Sequence, residues 1–139
     1  MARFVATDYN ITINGTDFSD SIAAVTLDIT SEEQDVTAFG GSGYRTRIGG
    51  LKDASISLDF HQDFGAGAVD ATLFPLLGTN ATVVVLPTSE AISATNPSYT
   101  AEFLCSSYSP FASTIGDLAT LSVSWNLAGT AGVVRGTAA

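Results

Sequence analysis

DVTAFGGSGYRTRIGGLKDASISLDF, Asp35 to Phe60, is the stretch on which the fold turns. Its second half alternates strictly, with Ala54, Ile56, Leu58 and Phe60 set against Ser55, Ser57 and Asp59. A period of two marks a strand with one face on a core and one face polar. Its first half is another alternating strand end, broken by glycine at Gly40–Gly43 and again at Gly49–Gly50. The stretch therefore predicts a long hairpin with a protruding loop hinged at those two glycine clusters. That loop also carries Arg45, Arg47 and Lys52, three of only five basic residues in the chain.

The same alternation recurs on both sides. Tyr9, Ile11 and Ile13 precede Asn14-Gly15, a pair suited to a tight turn because both residues tolerate positive φ. Val25, Leu27 and Ile29 form one apolar row, Ala101, Phe103 and Cys105 another, and Leu121, Val123, Trp125 and Leu127 a third. ATVVVLP, Ala81 to Pro87, carries a continuous Val run that predicts a strand covered on both faces and ended by Pro87. Only Gly65–Gly78 reads as helix, with Val69, Leu73, Leu76 and Leu77 at helical spacing and Gly78 as the stop. Pro75 must shorten, kink or split it. Pro87–Tyr99 is polar and reads as an exposed, mobile loop. The expected fold is mainly β: an antiparallel β-sandwich or partly closed barrel with one short α-helix and a long protruding hairpin loop.

A length of 139 residues fits one domain, 1–139. Charged residues make up 14%, against about 25% in ordinary soluble domains. The alternating strands carry Ser, Thr, Asn and acids on their polar faces, and no Lys or Arg. Edge strands normally carry Lys or Pro to block pairing with other chains. Unprotected strands on a charge-poor chain predict a surface meant to meet other copies. The net charge of −9 argues against a phosphate-gripping surface. It suits a wall that nucleic acid passes without sticking.

Little in the sequence suggests chemistry. A single cysteine, Cys105, forms no internal disulfide and reads as a buried thiol. His61, between Asp59 and Asp63, has no second histidine or nucleophile motif beside it and reads as a satisfied, partly exposed surface residue. GGSGYRTRIGG lacks the G-K-[ST] ending of a phosphate loop. No cofactor, metal or enzymatic activity is expected. No apolar run reaches the ~20 residues of a membrane helix, and the first ten residues do not read as a signal peptide, so a cytoplasmic origin is expected.

DVTAFG (Asp35–Gly40), the glycine-hinged loop, GLKD (Gly50–Asp53), LDF (Leu58–Phe60) and a following short helix stand in an order that resembles the major tail tube protein of long-tailed bacteriophages. The resemblance spans about Ser31 to Gly78. Related tubes occur in gene transfer agents, phage-like bacteriocins and type VI secretion. The resemblance implies hexameric rings, joined by strands across subunits and stacked into a hollow tube. Tape-measure protein and DNA would pass through it, tail-tip or terminator proteins would bound it, and its place would be the virion tail. The inter-ring loop would comprise Phe39, Gly40, Gly43, Tyr44, Arg45, Arg47, Gly49, Gly50 and Lys52. Its cations would meet carboxylates such as Asp17, Asp20 or Asp117. The lumen candidates are Asp28, Glu33, Asp35, Ser57 and Asp59. The alternatives are another ring-forming tail protein (a terminator, connector or minor tail protein) and a soluble β-sandwich binding module. For the latter the aromatics Tyr44, Tyr99, Tyr108 and Phe111 are scattered.

Overall fold

The structure is a computed structural model that describes residue 5 and residues 7–137. The strands are β1 (Asn10–Ile13), β2 (Thr16–Asp17), β3 (Ile22–Asp35), β4 (Arg47–His61), β5 (Asn80–Leu86), β6 (Ser98–Leu104), β7 (Thr120–Leu127) and β8 (Val134–Gly136), with α1 (Val69–Leu76) after β4. They form one antiparallel sheet in the order β2-β1-β5-β6-β7-β4-β3, with β8 beside the start of β6. The sheet does not close: among the described residues β3 pairs with β4 alone. Of the two architectures expected, the sandwich-like one is therefore found.

The alternating rows meet in one core. Ile11 and Ile13, Ile56, Leu58 and Phe60, Val83, Phe103, and Leu121, Val123 and Trp125 are all buried there. Phe18, just after β2, packs edge-on against Phe60 with ring centroids 6.2 Å apart, which ties the two ends of the open sheet. Cys105 is buried as expected. Asn14 and Gly15 both have positive φ, which is what the β1–β2 turn demands of them.

Three details depart from the sequence reading. The helix begins at Val69 rather than Gly65, because residues 65–68 form a turn with Gly67 at φ 71°. Pro75 lies in its last turn, so the helix simply ends there, with Val69 and Leu73 buried and Leu77 exposed. In β5 Ala81 and Val83 are buried while Val84 is only half-buried, so its second face is partly covered. The loop before β6 is pinned rather than loose. Asn96 is buried, donates to the carbonyls of Glu90 and Ala91, and accepts from the Thr88 amide.

Candidate functional site

Every residue from 28 to 53 is exposed, so the outer halves of β3 and β4 stand off the core as a two-stranded arm. β7 pairs with β4 only over Ser55–His61, and the outer edge of β3 has no strand partner among the described residues. That edge contains no Lys, Arg or Pro. The register shifts at Ser31/Glu33, where one extra residue of β4 makes a bulge. Gly49 and Gly50 lie at this bulge inside one continuous strand, not at a break between two strands. A Cβ on Gly50 would come within 3.2 Å of the Glu32 Cβ.

The arm tip is closed by its own side chains. The Val36 amide donates to the Thr46 carbonyl. One Asp35 oxygen accepts from the Thr37 amide and hydroxyl, and the other pairs with Arg45 at 2.8 Å. The Thr37 hydroxyl, and behind it the Thr37 amide, holds the Asp35 carboxyl below its ordinary pKa, with Arg45 adding to the effect. Arg47 lies 3.8 Å from Glu33. The loop arginines thus find carboxylates on their own hairpin, while Asp17 accepts from Ser19. Ser42 and Gly43 both have positive φ at the turn itself. With the arginines occupied, what the arm presents outward is apolar: Phe39 and Tyr44 at the tip and Ile48 and Leu51 along β4 are all strongly exposed. Lys52, near the root, makes no ion pair among the described residues; it borders, with Arg135, a cavity of about 380 Å³ between β4 and β8.

The lumen candidates divide between two faces. Thr26 pairs with Ser57 and Asp28 with Ser55, and Asp59 accepts from Ser122 at 2.6 Å. With Ser124, opposite Ser57, these make one exposed face of hydroxyls and carboxylates across β3, β4 and β7. Glu33 and Asp35 fall on the opposite side of β3, because side chains alternate and their numbers are odd where Asp28 is even. There they serve Arg47 and Arg45.

One surface was missed in the sequence. At the end of β4 away from the arm, Gln62 donates to the Pro110 carbonyl and to the Tyr108 hydroxyl, and Tyr108 donates to Asp70 of α1. Burial, together with the Asp70 bond, pushes the Tyr108 phenol above its ordinary pKa. This network holds residues 62–68 and 105–119 together, and Phe64 stacks on Phe111 with centroids 5.5 Å apart. Phe111, Ile115 and Leu118 are exposed there. Of the aromatics that stand scattered in the sequence, Tyr108 and Phe111 meet here and are joined by Phe64, whereas Tyr44 at the arm tip and Tyr99 in β6 remain apart from them. His61 is partly exposed as expected, but it is not fully satisfied: its Nδ1 lacks a hydrogen-bond partner among the described residues. Asp59 and Asp63 are engaged with Ser122 and the Gly65 amide, and the described residues contain no cluster that could hold a metal ion. No helix among them is long and apolar enough to cross a membrane.

No family model and no curated protein matches the sequence. Among solved structures, a chain in the virion of a native gene transfer agent particle is similar over 92% of this chain and 95% of its own length. The TM-score is 0.71 at 18% sequence identity, so the two chains share a fold.

Proposed function

We propose that the chain is a structural subunit of a bacteriophage-type tail tube, assembled as stacked hexameric rings around an acidic-lined conduit for DNA. The observation that carries this reading is the arm, a two-stranded ribbon exposed on both faces with its β3 edge open. An isolated two-stranded ribbon is marginal in water, so a second chain is the natural source of its stability. The shared fold with a chain of a gene transfer agent virion supports a place in a phage-like particle, and with it a structural rather than catalytic role.

In this reading the β3 edge pairs with a neighbour in the ring. The loop from Phe39 to Lys52 reaches the adjacent ring. The face of Asp28, Ser57 and Asp59 lines the channel, where like charge keeps DNA moving past without binding. Glu33 and Asp35 serve the arm instead. The tape-measure protein fills the lumen before DNA does, tip and terminator proteins bound the tube, and assembly takes place in the host cytoplasm.

Negative-stain electron microscopy of the purified chain, across concentration and salt, tests this. Hollow tubes or stacked rings of uniform width are expected. Single rings that never stack would favour a terminator or connector. A chain that stays monomeric even with tail-tip extract would overturn the reading.

A further inference from the structure

We propose that the arm docks on the opposite end of a second copy of this chain, at the apolar patch of Phe64, Phe111, Ile115 and Leu118. This rests on the tube reading and names the receptor for the arm.

The two surfaces lie at opposite ends of one strand. β4 starts at Arg47 in the arm and ends at His61, which pairs with Thr120 at the start of β7. Residues 62–68 and 105–119 leave from that far end. There Phe111 is 83% and Ile115 99% exposed, an unusual cost for two large apolar side chains on one small surface.

Charge follows the same axis. Between Lys52 and Arg135 the chain has no Lys or Arg at all. Arg45, Arg47, Lys52 and Arg135 are all on the arm or at its root, since Arg135 pairs across from Tyr99 beside Lys52's cavity. The far end carries Asp20, Asp63 and Asp117. Asp20 and Asp117 make no side-chain hydrogen bond or ion pair among the described residues. Because Arg45 and Arg47 are already paired on the hairpin, apolar area drives the contact and Lys52 is left to meet a carboxylate. Phe39 and Tyr44, at roughly 150–250 Å² each, supply about half of the ~800 Å² that each partner gives to a standard interface.

A second apolar site exists, a cavity of about 370 Å³ lined by Tyr9, Val25, Leu27, Ile29, Val85 and Tyr99 among others. It lies at the root of the arm, on the same end. An arm docked there would make two copies face each other and close as a two-fold pair. A receptor at the far end leaves one arm and one receptor open at every step, which is what a stack needs. The far end, which holds no Lys or Arg among the described residues, is also the better electrostatic match.

The test uses full-length chain carrying Phe39→Cys and Ile115→Cys together, oxidised with oxidised glutathione, beside each single variant. Cys105 is buried and stays silent. The double variant should give a ladder of disulfide-linked multimers, and each single variant no more than a dimer. Separately, Phe111→Asp with Ile115→Asp, both exposed and so expected to fold, should raise the critical concentration for stacking on the order of 100-fold. Wild-type tubes together with no ladder and normal stacking of the aspartate variant would overturn the receptor and leave the tube reading standing. A covalent dimer that stops there would place the receptor at the root. Wild-type chain that never stacks would remove the tube reading and this proposal with it.

Discussion

Asp35 closes the arm with both of its carboxylate oxygens, one to Thr37 and one to Arg45. Its pKa is lowered by the folded loop, so the linkage has a definite sign. The contribution is complete above the ordinary carboxylate range and is lost as the pH falls through the lowered value. Below the ordinary range the Thr37 and Thr46 amides should lose protection, after correction for intrinsic exchange, while amides of the β4–β7 ladder keep theirs. Asp35→Asn should loosen the Arg45 side of the loop at neutral pH. Equal protection at Thr37 across that range would show that the tip does not depend on the carboxylate. Cys105 offers a second reading at this scale. Burial pushes its thiol up to about 11, so at neutral pH it is a neutral, shielded group. Thiol reagents should modify it only as fast as the chain unfolds, and reaction of the native protein at the rate of a free thiol would contradict the burial.

At the scale of elements, α1 gives the sharpest contrast between neighbours. Leu73 is buried and Phe74 beside it is exposed. Leu73→Ala should therefore cost about 2–5 kcal/mol by leaving a cavity. Phe74→Ser should stay within roughly 0.5 kcal/mol, as surface changes do. Urea unfolding of both variants checks the orientation, and equal losses would mean the helix is rotated on the sheet. Helical spacing had placed Leu73 inward correctly and Leu77 wrongly, because the chain leaves the helix at Leu77, just after Pro75. Alternation gave each strand the right face, since period two is fixed by backbone geometry, but not how far that face stays covered: Ile11, Leu58 and Val123 are buried, whereas Tyr9 and Ile29, at the ends of their apolar rows, are exposed. The continuous run through Gly49–Gly50 was not legible. Two adjacent glycines break a pattern in the same way whether they end a strand or sit in a bulge. Asn96 was likewise invisible as an anchor, because what it holds are carbonyls and an amide five to eight residues away, in a conformation that composition does not specify.

For the whole molecule, alternation gives each strand a face but not a neighbour. The sequence could say that β3 lacked protective charges; that β3 is the strand left at the edge follows from the pairing order. The same order gathers the polar face of β3, β4 and β7, where Asp28, Ser57, Asp59, Ser122 and Ser124 stand without a cation among them. If this face lines a channel, its chemistry must let a polyanion slide. Asp28→Lys with Asp59→Lys replaces two repulsive charges by two attractive ones at exposed positions, so the fold and the stacking should survive. What should change is the wall. Assembled variant should retain double-stranded DNA at low salt and release it as salt rises, because each Lys–phosphate contact releases counterions. Wild-type assemblies should not retain it at either salt. In a particle, the same pair should slow DNA delivery without reducing the number of complete tails. Variant tubes that bind DNA on their outer surface, seen by microscopy, would turn the sheet inside out and put the acidic face on the exterior. Tubes that bind none at low salt would mean that this face is buried between neighbouring subunits.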